Sequence, residues 1–333
     1  GYFQRTADFG STTLTNASPS NINDAFIAKC DSAGNFLWAK AAGGTGQDEG
    51  RSVAVDNSGN VYVVGFFSGT AAFGGTNLIS AGQQDVFIAK YDEDGNILWA
   101  RSAGGTGLED AYGAAVDQDG NLYITGNFER NASFGGLPVT TGSSFGSDLF
   151  LAKYNFSGNC LWVRQGGVVN DYYPDGGRAI ALDAAGNPIV TGYIGNGIAN
   201  FGGMVVSNAP LNKTVVIVKY DPAGNPIWVR KAGGTNTIAD NVGQALVVDP
   251  LGDIYVAGTN SANAIFGNAT LPTAGGFIAK YNSAGEFLWV RKSGNTTYGV
   301  AAGSGESFVT GYFSGTGVFG STNLVSSGNR DVF

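Results

Sequence analysis

The chain has 333 residues, among them 54 glycines, 26 Asp or Glu, 18 Lys or Arg and no histidine, for a formal net charge of −8 and a pI near 4.5. Such a charge offers no attraction to nucleic acid or to an anionic membrane surface, and both are excluded as partners. No apolar run approaches the roughly 18 residues of a membrane span, which excludes insertion, and the missing histidine removes the commonest general base, the usual zinc sites and every His-dependent triad.

Gly1-Tyr-Phe-Gln-Arg lacks signal-peptide character, so any export signal is expected to have been removed or to lie outside this chain. The first residues belong to the middle of a unit: Gly1-Tyr-Phe matches Gly65-Phe-Phe and Gly311-Tyr-Phe, and Phe9-Gly-Ser-Thr-Thr-Leu matches Phe73-Gly-Gly-Thr-Asn-Leu. Phe-Gly recurs at Phe9, Phe73, Phe134, Phe201, Phe266 and Phe319, each time before polar and aliphatic residues that predict a short extra strand.

Asp24 opens the stretch that defines the chain. Its second copy reads Asp85-Val-Phe-Ile-Ala-Lys-Tyr-Asp-Glu-Asp-Gly-Asn-Ile-Leu-Trp-Ala-Arg101, and further copies begin at Asp148, Thr214 and Gly275. The five tryptophans, Trp38, Trp99, Trp162, Trp228 and Trp289, hold one position in these copies at steps of 61, 63, 66 and 61 residues. Self-similarity at this period identifies a repeat protein whose units bury their apolar faces against their neighbours.

With the second copy as reference, each period holds strands A (52–56), B (61–67), C (85–91) and D (97–101). Phe87, Ala89 and Tyr91 share one face of C while Val86, Ile88 and the Lys90 stem share the other, so the strand is covered on both sides. Asp56-Asn-Ser-Gly joins A to B and Asp92-Glu-Asp-Gly joins C to D; Asp opens the turn and Gly takes its left-handed position. These runs lack the third acid and distant Glu of a calcium-binding EF-hand and read as turns.

The pattern predicts an all-β fold, a β-propeller of four-stranded antiparallel blades, with small, uncharged A strands innermost and Trp-bearing D strands outermost. An open superhelical array is the alternative. One domain is expected over 1–333, with units near 1–50 (partial), 51–111, 112–176, 177–242, 243–297 and 298–333 (partial). The chain gives five blades if the hairpin at 24–40 closes on the one near 298–313, and six or seven if it is part of a longer array. Residues 311–333 repeat the content of 1–26, and this surplus predicts strand exchange between copies, below simple closure in order of preference.

Cys30 and Cys160, in units two apart, read as buried thiols serving as small apolar groups rather than as a disulfide. Asp48, Glu49, Glu109, Asp110, Asp171, Asp175 and Asp240 lie in the loops from D to the next A, after Gly-Gly or Gly-Gly-Thr, and would ring one mouth of a propeller channel. There they bind a cation such as calcium, or a glycan, or they form a solvated face, the common fate of exposed acids. The tryptophans, each followed two residues later by Arg or Lys, read as structural packing with a cation on the ring, against the alternative of a five-site lectin.

Phe-Ile-Ala-Lys-Tyr-Asp-x-x-Gly-Asn-x-Leu-Trp-Ala-Arg, the following Gly-Gly-Thr-Gly and then Val-Ala-Val-Asp-x-x-Gly-Asn-Val-Tyr-Val-Val-Gly resemble the bacterial beta-propeller repeat called SBBP over nearly the whole chain. The resemblance implies a secreted or surface-attached bacterial protein and carries over no catalytic residues and no cofactor. The expected function is a non-catalytic structural or adhesive module of the cell exterior, binding other surface proteins or copies of itself. The alternative is a glycan- or cation-binding propeller, and a polysaccharide-active enzyme ranks third.

Overall fold

Turn chemistry sets the local structure. In the computed structural model, which describes residues 1–333 except 19–20, 142–145, 169–173, 209–211, 235–238, 304 and 320–321, Asp56 Oδ1 accepts the backbone N–H of Ser58 and Asn60, at 3.0 and 2.9 Å. The Gly59 N–H closes the turn on the Asp56 carbonyl, with Gly59 at φ +79°. The turn opened by Asp92 is built alike, with Gly95 at φ +78°. The Asp-x-x-Gly runs are thus turns, as their spelling predicts.

Among the described residues every regular element is a strand, and no helix is long and apolar enough to cross a membrane. In the second repeat, A is Asp48–Val55, B Val61–Phe67, C Asp85–Tyr91 and D Ile97–Gly105, hydrogen-bonded antiparallel in the order A, B, C, D. A and D each run four residues beyond their predicted ends, A because it continues through a β-bulge at Arg51. The same bulge recurs at Tyr112, Arg178, Gln244 and Tyr298.

The extra strand predicted after B is a hairpin, Thr70–Phe73 and Thr76–Ile79 in this repeat. Its first strand pairs with the D strand of the preceding repeat, Phe36–Gly44, through Gly43↔Ala72 and Gly44↔Ala71. Backbone approaches so closely that a Cβ on Gly44 would lie 1.8 Å from the Thr70 carbonyl oxygen. The second glycine of this Gly-Gly step allows the close crossing, while the third repeat makes the same pairing with Val168.

The chain forms two compact units, one of 1–144 and 150–164, the other of 145–149 and 165–333. In the first, all seven residues of Val61–Phe67 are buried and the strand serves two cores. Val61 and Val63 join Ala25, Ile27, Phe87 and Tyr91 on one face, while Tyr62 and Val64 join Leu122, Ile124, Phe150 and Tyr154 of the next repeat on the other. The second unit has the same construction, Ile189, Val215 and Ile217 meeting Leu246, Ile254, Val256 and Phe277 across repeats.

Neighbouring repeats also meet through their A strands. The bulge residue Arg51 reaches the Asp110 carboxylate at 3.3 Å and stacks on Tyr112, the next bulge residue, at 5.5 Å. The lysines inside the sheets are paired: Lys90, buried, lies 3.4 Å from Asp56 and 4.6 Å from the Tyr62 ring centre, and the set recurs as Lys153 with Asp117 and Tyr123.

One expectation is corrected, and the end hairpins pair locally. The hairpin of Asp24–Cys30 and Phe36–Gly44 takes Tyr2–Phe3 as its edge partner, and Ser307–Phe313 takes Asp331–Val332. Cys30 is exposed rather than buried: Tyr91, its counterpart, lies in a core cluster against which Trp38 packs, and Cys30 belongs to no described cluster. Cys160 is partly buried, and both thiols are free.

Asp56→Asn keeps the turn acceptor but leaves Lys90 buried without its counter-charge, and is expected to cost about 3 kcal/mol of stability in urea unfolding. Asp92→Asn, at the same turn position in an exposed hairpin, is expected to cost much less. Equal losses would place the cost in the turn and not in the buried ion pair.

Candidate functional site

The acids of the D-to-A loops are organised by the backbone before their side chains. Asp48 donates its backbone N–H to the Asn23 carbonyl, Glu109 to Gln84, Asp175 to Ser147, and the amide residue Asn241, at the same place in its repeat, to Lys213. Each acceptor immediately precedes the first residue of the C-strand motif, Asp24, Asp85, Asp148 or Thr214. The D-to-A acid is thereby laid against the acid that opens the C strand.

The carboxylates meet over the glycine five residues after the tryptophan, Gly43, Gly104 or Gly167. A Cβ on Gly43 would lie 2.7 Å from Asp24 Oδ1 and 2.9 Å from Asp48 Oδ2; on Gly104, 2.8 Å from Asp85 Oδ1 and 2.7 Å from Glu109 Oε2; on Gly167, 2.7 Å from Asp148 Oδ1 and 2.5 Å from Asp175 Oδ2. Any side chain here would displace the pair. All six acids are buried, with at most 4% of their surface exposed.

The inner acid ties two loops together. Gly44 and Ser68 donate backbone N–H to Asp48 at 2.9 and 3.4 Å, Gly105 and Glu129 to Glu109 at 2.7 and 3.4 Å, and Val168 and Gly195 to Asp175. One donor of each couple is the last residue of strand D and the other lies at or just after the end of strand B. Burial pushes the Asp48 carboxyl up to about 7, against the Gly44 N–H and with the help of the Asp24 charge; burial does the same to Glu109, also to about 7, against Gly105 and with Asp85.

The loop acids are therefore not a ring facing solvent. Asp48, Glu109 and Asp175 are consumed by backbone donors. Glu49 accepts from Asn23 at 2.6 Å and pairs with Arg51 at 2.9 Å, and Arg51 also pairs with Asp110. Asp240 is exposed and lies 3.4 Å from Lys213, while Asp171 falls outside the described residues. No group of three or more acidic or cysteine side chains able to hold a metal occurs among the described residues.

The tryptophans are joints between repeats. Trp38 Nε1 donates to the Glu93 carbonyl at 3.0 Å and Trp99 Nε1 to the Phe156 carbonyl at 3.1 Å, each acceptor lying in the C-to-D turn of the next repeat. The ring covers that turn's glycine: a Cβ on Gly95, Gly158 or Gly285 would lie 2.8 to 2.9 Å from Trp38, Trp99 or Trp228. Arg101, Arg164, Arg230 and Arg291 stack on Trp99, Trp162, Trp228 and Trp289 at 5.2 to 5.7 Å. Sequence reasoning gave the cation on the ring but not the turn beneath it, nor the C-strand acids; the recurrence of Asp at the head of three copies was the available signal.

Residues 37–65 match the family model of the beta-propeller repeat SBBP. The chain is 26% identical over 90% of its length to an uncharacterised WD repeat-containing protein of Acanthamoeba polyphaga mimivirus, covering 27% of it. It is 28% identical over 92% of its length to the regulatory protein FlaEY of Caulobacter vibrioides, covering 33%. The chain thus spans about a third or less of these relatives. A crystal structure of a protein of unknown function from Bacteroides caccae covers 83% of this chain and 91% of its own at 12% identity and a TM-score of 0.32, a likeness too low to inform the fold. The repeat match and the antiparallel sheets together make this an all-β chain of beta-propeller repeats.

Gly158→Ala and Gly34→Ala both force alanine into the left-handed region, at φ +80° and +85°, but only Gly158 carries a ring above it, Gly34 having nothing within 4 Å. Gly34→Ala is expected to cost about 1 kcal/mol in urea unfolding, and Gly158→Ala at least twice that, because Trp99 must leave the turn. Losses of equal size would show that the indole contact adds nothing.

Proposed function

We propose that the chain is a non-catalytic interaction module of an extracellular or cell-surface bacterial protein, with 1–333 acting as one repeat array that docks other surface proteins or copies of itself along its D strands. The observation that carries this reading is the residue before each tryptophan. Leu37, Leu98, Leu161, Ile227 and Leu288 are exposed by 57, 51, 49, 45 and 47%, each one residue before a tryptophan, and Trp38, Trp99 and Trp228 pack on the turn glycine of the next repeat. A large aliphatic group left in water at one register in five copies is the composition of a contact surface, not of a solvated edge.

The backbone of the same strand supports the reading. Phe36–Gly44 is paired on its outer side through its Gly-Gly end alone among the described residues, so the rungs before it offer hydrogen-bonding groups beside the aliphatic row. A strand edge with side chains in register is what strand addition uses. Binding rather than chemistry is also supported by the loop acids, whose oxygens hold backbone amides. The relative called a regulatory protein is compatible with a binding role.

Light scattering of purified 1–333 over a concentration series tests the self-assembly part. Concentration-dependent association is expected, and Leu98→Lys with Leu161→Lys is expected to abolish it with an unchanged circular dichroism spectrum. A chain that stays monomeric throughout would remove self-assembly from the proposal, and association unaffected by the two lysines would remove the D-strand row as its surface.

A further inference from the structure

Asp24 and Asp85 each keep one carboxylate oxygen, Oδ1, that is buried and has no hydrogen-bond partner, and in both cases this oxygen and one of the neighbouring acid lie within 3 Å of one point, the position a Cβ on Gly43 or Gly104 would take. An orphaned acceptor in a low-dielectric site beside a second carboxylate costs free energy twice, through the missing donor and through like-charge repulsion. Both costs disappear if one proton lies between the two acids.

We propose that the buried pairs Asp24 with Asp48 and Asp85 with Glu109 each hold one shared proton at neutral pH, forming acid-to-carboxylate hydrogen bonds that latch the D-to-A loop to the segment after strand B and loosen when the proton leaves. The chain itself contains the neutral version of this joint. Where the C-strand acid gives way to Thr214, the partner position holds Asn241, whose Nδ2 donates to the Lys213 carbonyl at 2.9 Å while its Oδ1 accepts the Ser261 N–H at 2.9 Å. Where it gives way to Gly275, the partner position holds Asn295, which donates to Ser314. An amide carries in its NH2 the donor that a carboxyl carries only when protonated. The fold thus uses a donor-bearing group wherever the second acid is missing.

A cation fits the acid pairs less well. Gly44, Ser68 and Ala17 aim N–H groups at the first pair, and Gly105, Glu129 and Ala81 at the second. Calcium takes six to eight oxygen ligands, and donors pointing inward repel it. The charge acting on Asp48 is that of Asp24, and those acting on Glu109 are Asp85 and Glu129, all negative. Of the charged groups beside the pairs, Arg51 is held by Glu49 and Asp110, and the Gly1 amine faces Arg51 and Glu49. Burial likewise raises Asp24 and Asp85.

For an acid raised in the folded state, the folded form binds more protons between the unfolded value and the raised one, so stability falls as pH rises through that window and levels above it. The window runs from the ordinary carboxyl value, about 4, to about 7 for Asp48 and Glu109. The turn acids Asp31, Asp56, Asp92, Asp183 and Asp221 are lowered and act in the opposite sense, below the ordinary carboxyl value. Between pH 5 and 7 the two effects are separated.

The folding equilibrium constant of intact 1–333 is expected to fall with rising pH by up to tenfold per unit for each shared proton, and Asp48→Asn with Glu109→Gln is expected to flatten the profile. Infrared spectra of the folded wild type at pH 6 are expected to show a protonated carboxyl band that fades toward pH 8. Equal pH profiles in wild type and variant, or no such band, would overturn the proposal, as would a calcium-dependent stabilisation at pH 8 that the variant loses. Should the double variant fail to fold, the wild-type band decides alone.

Discussion

Each repeat sheet is apolar on both faces, and the rest of the structure follows from the need to cover them. Strand B of the second repeat buries Val61 and Val63 one way and Tyr62 and Val64 the other, so it cannot be stable beside solvent on either side. The cover is supplied by the neighbouring repeat, and the neighbour must be held at fixed height and rotation for the side chains to interdigitate. Three devices set that position: the indole on the next turn's glycine, the small hairpin paired with the preceding D strand, and the Arg51 bridge between adjacent A strands. All three join repeat to repeat rather than strand to strand.

The Gly-Gly step serves two of these needs at once. In Gly43-Gly44 and Gly104-Gly105 the first glycine leaves room for two carboxyl groups, and the second lets the D strand meet the small hairpin backbone to backbone. A loop so crowded has no water to satisfy its amides, and a carboxyl group with two acceptor oxygens can take one N–H from each of two segments. This explains why acids recur in a place that excludes solvent: each offers one oxygen to the end of strand D and the other to the end of strand B. The cost is an ionisable group in a low-dielectric pocket, which appears as the raised values of Asp48 and Glu109.

Much of this was legible in the residues. Period, strand pairing, turn positions and the two-sided character of C follow from alternation and from Asp-x-x-Gly, because these are local properties of backbone and side chain. The recurring acids after Gly-Gly were also visible, but their direction was not. An acid in a loop is ordinarily solvated, and nothing in the spelling of Gln-Asp-Glu or Leu-Glu-Asp reports that the backbone N–H of Ser68 or Glu129 waits for it. Cys30 was misread for a related reason: it occupies a tyrosine position, but burial there depends on a cover from another repeat and not on the strand that carries it.

The acid pairs and the exposed aliphatic row illustrate opposite uses of repetition. A feature repeated with its chemistry conserved but its residue changed, as Asp48, Glu109, Asp175 and Asn241 are, is held by what the fold must hydrogen-bond, and any acceptor of suitable reach will serve. A feature repeated with its side chain half in water, as Leu37, Leu98, Leu161, Ile227 and Leu288 are, is not accounted for by burial alone. The first kind belongs to stability even when it consists of buried carboxyl groups that elsewhere mark catalysis. The second kind points outward, and the proposed docking role therefore belongs to this aliphatic row and not to the acids.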